Sequence, residues 1–280
     1  MAPSVAIIAP GSMGAAVGAR LRANGVAVYT SLEGRGADSR ERAASAGMRV
    51  VSDAQLLQTD LLLSIVPPGA ALRLAERLVP GLRAAPHRPT FVDCNAVSPG
   101  TVERIERLVA AAGARFVDVG IIGGPPRPGY SGPNFYASGA HAADLATLAA
   151  YGLDVRVLKA PVGAASALKM AYAGITKGIT AVGSVMLLAA ARNGVAEALR
   201  AELSESQAAL LDSFRRSVPA SFPKAYRWVA EMQEIAKFAA ADPAAAAIFG
   251  GASEHYSRIT ADLAGERRET SILDEFLADR

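Results

Sequence analysis

The chain has 280 residues, of which 51% are apolar and 20% are charged, and its formal net charge at pH 7 is +3. A chain of this length can bury a large core and commonly forms two domains. Its apolar content excludes an intrinsically disordered protein. The basic residues are scattered, which gives no support for nucleic-acid binding. The single cysteine, Cys94, excludes an intramolecular disulfide and is typical of a reducing cytoplasm.

The N-terminal segment does not have the pattern of a signal peptide. It has no basic segment, and Pro10, Gly11 and Gly14 interrupt its apolar run. The longest uncharged apolar stretch, residues 178–191, is too short to cross a bilayer. We therefore expect a cytoplasmic protein with no membrane partner.

The same N-terminal segment predicts a phosphate-binding turn. An apolar run typical of a β-strand is followed by a glycine-containing turn and then by small and apolar residues at helical spacing. This is how a dinucleotide-binding fold begins, because glycine allows a pyrophosphate to approach and the helix N-terminus faces its charge. Ala9 replaces the first glycine of the usual G-x-G-x-x-G motif, and alanine is compatible with most turns. We expect Gly11, Ser12, Met13 and Gly14 to bind the pyrophosphate; an ordinary strand–helix turn is the alternative.

The turn after the second predicted strand favours NADP as the cofactor. Folds that select NAD usually place an acidic residue at this strand end, whereas Thr30 and Ser31 end the strand here and Arg35 follows. A hydroxyl and a guanidinium suit a 2′-phosphate. Glu33 in the same loop keeps NAD as the alternative cofactor, and a solvated loop charge is the alternative role for Arg35.

The order of predicted elements divides the chain into two domains. Strand and helix patterns alternate through the first half, which implies a mostly parallel sheet with right-handed crossovers. The remainder reads as helices, beginning with an unusually long one over about 163–193, and the charged tail from Gly265 is expected to be loose. We predict an α/β Rossmann-type doubly wound domain over residues 1–161, followed by an all-α domain over residues 162–280.

Five segments carry a resemblance that covers nearly the whole chain: APGSMG at 9–14, SIVPP at 64–68, DCNAVSP at 93–99, GIIGG at 120–124 and ASALKMAYAGITKG at 165–178. In this order they resemble the β-hydroxyacid dehydrogenase superfamily, which includes 6-phosphogluconate dehydrogenase and 3-hydroxyisobutyrate dehydrogenase. The branch indicated has a phosphogluconate-dehydrogenase-like C-terminal domain. The resemblance implies a homodimer with interlocking helical domains and an active site in the interdomain cleft. It also implies that Val66, Pro67, Pro68 and Asn95 line the nicotinamide side.

The last of these segments resembles the helix that bears the catalytic lysine of the family. The resemblance implies that Lys169 is the general acid or base of hydride transfer. Small apolar residues surround Lys169, and partial burial among them would favour the neutral amine and suit proton transfer. The alternative is a lysine whose stem covers the helix surface, for which Lys159 and Lys177 are better candidates.

Three departures from the small-hydroxyacid members of the family concern the substrate. Asn95-Ala96 stands where those members have Ser-Thr, Ile122 replaces a serine that contacts the substrate carboxylate, and Ala173 replaces an asparagine. We therefore expect a substrate that is bulkier or less polar than small 3-hydroxyacids. The candidate substrate contacts are Ile122, Gly123, Gly124, Tyr172, Trp228 and Met232.

A predicted amphipathic helix in the C-terminal half has two interpretations. Trp228 and Met232 share its apolar face, and Glu231 and Glu234 flank that face. The face is either a substrate wall or a core or dimer face with solvated carboxylates. No spacing of His, Cys, Asp and Glu suggests a metal site.

These patterns predict an NADP-preferring oxidoreductase that moves hydride between nicotinamide and an alcohol or carbonyl carbon, with Lys169 as general acid or base. Two alternatives remain open. One is a non-catalytic NADP-binding sensor or scaffold. The other is an imine reductase, although the resemblance to those enzymes implies Asp or Tyr at the position of Lys169.

Overall fold

The computed structural model describes residues 2–278 and divides the chain into two compact units, Met1–Met170 and Ala171–Arg280. The first unit contains a mixed, mainly parallel sheet with helices, and the second is helical. The predicted fold class is therefore confirmed. The division falls inside one long helix, C-terminal to the predicted domain boundary at residue 161, which stays a prediction.

Eight strands make up the sheet of the first unit. They are β1 Ser4–Ile8, β2 Ala27–Thr30, β3 Arg49–Val50, β4 Leu61–Ser64, β5 Thr90–Asp93, β6 Phe116–Ile122, β7 Asn134–Ser138 and β8 Asp154–Val157. Their spatial order is β3-β2-β1-β4-β5-β6-β7-β8, and every neighbouring pair is parallel except β6 and β7. The strand order reverses between β1 and β4, and doubly wound folds bind their ligands at the carboxyl ends of such strands.

Helices cover both faces of this sheet. Their bounds are α1 Ser12–Ala23, α2 Ala37–Ser45, α3 Asp53–Leu56, α4 Ala71–Ala84, α5 Pro99–Ala111 and α6 Ala142–Ala146. Alternate residues of β1 point into opposite cores, with Val5 and Ile7 in one cluster and Ala6 and Ile8 in the other. Burial on both faces explains why the central strands are continuous apolar runs in the sequence.

The remaining helices are α7 Ala164–Arg192, α8 Ala196–Ser206, α9 Ala208–Ser221, α10 Ala225–Phe238, α11 Pro243–Ala264 and α12 Arg268–Leu277. The bounds of α7 match the helix predicted over about 163–193 closely. Helix α7 is long and apolar enough to cross a membrane by length and composition, yet 56% of its most apolar window is buried within the protein. More than half of this segment is thus covered by other parts of the chain.

The expectation of a loose tail from Gly265 is wrong. The tail forms α12, whose Leu273 and Phe276 are buried. The carboxylate of Asp262 accepts hydrogen bonds from the backbone N–H groups of Glu269 (3.0 Å) and Thr270 (2.8 Å). The charged residues of the tail concealed its apolar spacing, and a side chain of the preceding helix satisfies the first backbone donors of α12.

Candidate active site

The glycine turn between β1 and α1 has the shape that a phosphate requires. A Cβ built on Gly14 would lie 2.2 Å from the carbonyl oxygen of Ala9, so the close packing of helix and strand requires glycine there. A Cβ on Gly11 would meet nothing within 4 Å, so the turn is open at that point. Gly11 occupies the N-cap position of α1, and its lack of a side chain leaves the helix without a side-chain cap. This open helix N-terminus, which includes Ser12 and Met13, fits a pyrophosphate.

Arg42 on α2 lies against the same turn. Its Nε donates to the carbonyl oxygen of Pro10 (3.0 Å), and its Nη2 donates to Ser39 Oγ (3.3 Å). The sequence does not indicate a role for Arg42, because it and Pro10 are 32 positions apart. The sequence shows only that Arg42 is a basic residue on the helix that follows the loop after β2. The contact holds a guanidinium beside the phosphate-binding turn.

The loop after β2 has the two candidate 2′-phosphate ligands near the same sheet edge. The buried Oγ1 of Thr30 donates to the carbonyl oxygen of Ile7 (2.8 Å) and ties the ends of β2 and β1 together. Ser31 is buried, and its Oγ accepts from the backbone N–H of Glu33 (3.3 Å). Arg35 is half-buried and Glu33 is exposed. A backbone contact therefore holds the Ser31 hydroxyl in place, whereas the Arg35 side chain is partly exposed to solvent.

Asn95 joins the carboxyl ends of β4 and β5. Its Oδ1 accepts from the backbone N–H of Val66 (2.7 Å), and its Nδ2 donates to Ser64 Oγ (2.8 Å) and Asp93 Oδ2 (2.9 Å). The residue is buried, so these contacts occupy its amide. Asn95 thus supports the backbone of Val66 and the following Pro67-Pro68 segment, on the side of the crevice expected to face nicotinamide.

Buried acidic groups lie directly behind this edge. Burial raises the pKa of Asp93 to about 7, against the two hydrogen bonds from Asn95 that lower it. Asp118, paired with Asp93 across β5 and β6, also has its pKa raised by burial. Burial, together with these two carboxylates, raises the pKa of the Cys94 thiol well above its usual value. Cys94 is therefore a protonated core residue rather than a nucleophile.

Lys169 lies beside the GIIGG segment, within the first unit. A Cβ on Gly120 would lie 2.6 Å from the carbonyl oxygen of Ala165 and 3.1 Å from the Cβ of Lys169. The glycine therefore lets α7 approach β6 at this point. Ile122, two residues further along the same strand, is half-buried, and residues 123–124 are exposed. The structure thus packs the helix that carries the candidate acid or base against the strand that ends at Ile122, the first candidate substrate contact.

The candidates of the C-terminal half have different surroundings. Tyr172 is exposed on α7, whereas Met232 is fully buried, and their expected contact with substrate stays a prediction. Glu231 is buried and ion-paired with Lys177, so the expectation of a solvated carboxylate there is wrong. The Nζ of Lys177 also lies 4.7 Å from the ring centroid of Trp228, a cation–π distance.

Two other polar residues of the helical unit, Glu234 and His255, are also buried. Glu234 is buried and accepts from Lys237 Nζ (2.6 Å). Burial, with a smaller effect from Arg258, lowers the pKa of His255 to about 4, which leaves its imidazole neutral at physiological pH. Across residues 2–278, no group of three or more His, Cys, Asp or Glu side chains is arranged to hold a metal ion.

Comparison with known proteins decides the family. Residues 4–150 match the family described as the NAD binding domain of 6-phosphogluconate dehydrogenase. The chain belongs to this family. Residues 190–259 match a domain of unknown function, DUF1932. The chain is accordingly an NAD(P)-dependent oxidoreductase, and the resemblance read from the sequence is confirmed.

Three relatives show how far the likeness extends. An uncharacterised 28.5 kDa protein of Methanothermus fervidus is 29% identical over 216 residues, which cover 76% of this chain and 82% of that protein. A conserved protein of unknown function, whose structure is described as similar to 3-hydroxyacid dehydrogenases, is 31% identical with a TM-score of 0.67, covering 91% of this chain and 99% of that one. The 3-hydroxyisobutyrate dehydrogenase of Mycobacterium tuberculosis, solved with L-serine, shares the fold at 18% identity and a TM-score of 0.71, covering 99% of this chain and 100% of that one.

Proposed function

We propose that this protein is an NADP-preferring oxidoreductase that moves hydride between nicotinamide and an alcohol or carbonyl carbon, with Lys169 as the general acid or base. One observation carries the proposal. The carbonyl oxygen of Ala165 lies so close to the sheet that only glycine fits at position 120, and the Cβ of Lys169 is 3.1 Å from the point where Gly120 would carry a Cβ, two residues before Ile122 on the same strand. A proton-transfer group positioned beside the substrate is the arrangement that carbonyl reduction requires.

The chain's own residues would hold the cofactor as follows. The first-turn N–H groups of α1, at Ser12, Met13 and Gly14, face the pyrophosphate. The Val66–Pro68 segment, supported by Asn95, lies along the nicotinamide side. The bound nicotinamide supplies or accepts the hydride.

Lys169 manages the proton that accompanies this hydride. In the reducing direction, the Nζ of Lys169 would donate a proton to the carbonyl oxygen as negative charge develops on it. In the oxidising direction, the same nitrogen would accept the hydroxyl proton. Proton transfer by a positioned side chain contributes about 10²–10⁴ in rate, which is large enough to be measured by a single substitution.

The proposed preference for NADP rests on the loop after β2. Ser31 directly follows β2, and the half-buried Arg35 lies further along the same loop. A guanidinium and a hydroxyl near the ribose of the adenosine favour a 2′-phosphate over a free hydroxyl. The exposed Glu33 is the feature that favours NAD instead.

The proposed substrate is bulkier or less polar than a small 3-hydroxyacid. Ile122 presents only methyl groups where a hydroxyl would bind a carboxylate, and Ala173 is a buried methyl where an amide would stand. A carboxylate held against Ile122 loses hydration without a new partner, at a cost of about 1–3 kcal/mol for the missing bond.

We also propose that the protein acts as a homodimer in the cytoplasm. An exposed apolar stripe runs along α7 at the three- and four-residue spacing of one helix face, formed by Tyr172, Ile175, Ile179, Val182 and Met186. It borders an apolar groove of about 630 Å³. A second copy of the chain is the occupant we propose, because a two-fold interface lets the same stripe cover itself.

A panel of alcohols and carbonyls, followed through the absorbance of reduced nicotinamide with NADPH and NADH, tests this function. We expect turnover of bulky or weakly polar carbonyls, faster with NADPH, and little turnover of 3-hydroxyisobutyrate. Tight NADPH binding without turnover of any compound would favour a sensor or scaffold. Turnover confined to imines would favour an imine reductase.

A further inference from the structure

Asp118 is a buried carboxyl of β6 on which the start of helix α7 converges. Its Oδ2 accepts from the backbone N–H groups of Gly163 (2.9 Å) and Ser166 (3.1 Å) and from Ser138 Oγ (2.9 Å). Its Oδ1 accepts from Ser166 Oγ (2.7 Å). Both carboxyl oxygens are therefore occupied, and three of the four donors belong to the first turn of α7 or the residue before it.

The Asp118 carboxyl group acts as the cap of α7, although it belongs to β6. The residue before α7 is Gly163, which has no side chain to cap the helix and whose φ of +97° favours glycine. The unsatisfied donors at a helix start need an acceptor when they are buried. Asp118 supplies it from the sheet, so the position of the first helical turn is tied to β6.

A second contact extends the tie to Lys169. Asp118 and Gly120 are two residues apart and lie on the same face of β6. Asp118 holds Ser166, and Gly120 faces the Cβ of Lys169, which is three residues further along the helix. Ser138 adds a third tie, because its Oγ accepts from the backbone N–H of Ala165 (3.0 Å). Together these contacts fix the rotation of α7 about its axis, and its distance from the sheet, at the turn that carries Lys169.

We propose that Asp118 is a positioning residue that sets the location of Lys169 for proton transfer, an inference that rests on the function proposed above. A fully buried carboxyl costs stability unless every acceptor is satisfied. An apolar residue would fill the same space at lower cost but could not bind the helix start. Such locally costly residues are expected where function depends on geometry.

Two substitutions at this position separate geometry from charge. In Asp118→Asn, the amide oxygen can take the place of Oδ2 and keep its three bonds, while the amide N–H donates to Ser166 Oγ, whose hydroxyl can rotate. Asp118→Ala removes all four bonds. Ser166→Ala removes the Oδ1 bond alone and serves if Asp118→Ala does not fold. Thr59→Ala is the matched control, because it truncates another buried hydroxyl, one that donates to Leu56 and Leu61 before β4.

The first measurement is steady-state kinetics with NADPH and the most active compound of the carbonyl panel. In Asp118→Ala we expect kcat to fall about tenfold to a hundredfold, since displacement of a catalytic group by about 1 Å has effects of this size. We expect KM and the Kd of NADPH to change less than about threefold, because the phosphate-binding turn is separate. Asp118→Asn and Thr59→Ala should stay within about threefold of the unaltered protein in kcat, and Ser166→Ala should fall between.

The second measurement needs no substrate. Lysines are reductively methylated with ¹³C-formaldehyde, and the dimethyl-Lys169 resonance is assigned by its loss in Lys169→Arg. We expect this resonance to move in Asp118→Ala and Ser166→Ala and to keep its position in Asp118→Asn and Thr59→Ala. This readout follows the surroundings of the Lys169 amine directly.

The two measurements separate the failure of this proposal from the failure of the proposed function. An unmoved Lys169 resonance in Asp118→Ala and Ser166→Ala would overturn the positioning role, whatever the activity. An Asp118→Asn variant as slow as Asp118→Ala would also overturn it, since charge rather than geometry would then matter. Full activity in Lys169→Ala would instead overturn the function, while the resonance would still report on the positioning.

Discussion

The carbonyl oxygen of Ala9 lies 2.2 Å from the point where Gly14 would carry a Cβ. Backbone atoms cannot move aside as a flexible side chain can, so alanine at position 14 must push α1 away from β1. Gly11, three residues earlier, faces open space. The two glycines of one turn thus have different roles, packing for Gly14 and access for Gly11.

We predict that Gly14→Ala lowers the free energy of unfolding by about 1–3 kcal/mol, because it overpacks the helix against the strand. Gly11→Ala should leave the melting temperature unchanged and weaken NADPH binding by about tenfold or more, because its methyl group enters the phosphate space. Thermal denaturation and fluorescence titration with NADPH measure the two effects. A Gly14→Ala protein with normal stability, or a Gly11→Ala protein with normal affinity, would contradict these roles.

Replacement of Arg35 tests the proposed cofactor preference. Arg35→Ala should weaken NADPH binding by about tenfold to a hundredfold, because it removes one charge-assisted contact that contributes about 1.5–3 kcal/mol. The affinity for NADH should hardly change, because NADH has no 2′-phosphate. Arg42→Ala is the control, since the Arg42 contact with the carbonyl of Pro10 supports the turn for both cofactors and its loss should weaken them alike. Equal weakening of NADPH and NADH in Arg35→Ala would show that Arg35 is structural.

The stability of the protein should depend on pH through Asp93. Its pKa is raised from the usual 3.8 to about 7, because burial disfavours the charged form. Between these values the folded protein keeps a proton that the unfolded chain has lost. The contribution of this group to the free energy of unfolding is therefore full below about pH 4, falls as pH rises, and levels off above about pH 7.

Asp93→Asn removes this titration. Its free energy of unfolding should fall less than that of the unaltered protein between about pH 4 and 7, the difference in slope reaching about 1.4 kcal/mol per pH unit at most. Urea denaturation at a series of pH values measures both curves. The raised pKa of Asp118 acts in the same direction in both proteins and is largely removed by the comparison. Parallel curves would contradict the assignment to Asp93.

A charge in the apolar stripe of α7 tests the proposed homodimer. Ile179→Glu places a carboxylate in the middle of the stripe and should produce a monomer at micromolar concentration, since an unpaired charge is costly to bury at an interface. Ser257→Glu, on an exposed position of α11, is the control and should leave the dimer intact. Sedimentation velocity gives the mass of each. A monomeric mass for the unaltered protein would refute the dimer.

The sequence predicted the features that depend on local patterns. Gly14 and the strand and helix around it follow from glycine spacing and apolar periodicity, and the long helix α7 follows from its continuous apolar pattern. The helix that carries Lys169 was likewise recognised from a continuous motif. These features need only short-range information, so one sequence is enough to find them.

The features that the sequence did not predict depend on distant partners. Asp118 gave no signal as the cap of a helix start 45 residues away, and the contact of Arg42 with Pro10 spans 32. Glu231 has the sequence context of a solvated carboxylate, yet it pairs with Lys177, 54 residues earlier. In each case the fold brings together two groups whose local sequence does not indicate the contact. The pairing offsets the free-energy cost of removing the charged group from water.

In the proposed function, Lys169 transfers the proton that accompanies hydride transfer. The most direct test compares kcat and NADPH affinity in Lys169→Ala and Lys159→Ala, the second being an exposed lysine outside the site. We predict that Lys169→Ala lowers kcat by about 10²–10⁴ with NADPH affinity within about threefold of the unaltered protein, while Lys159→Ala changes neither. Turnover by Lys169→Ala at the rate of the unaltered protein would contradict the claim.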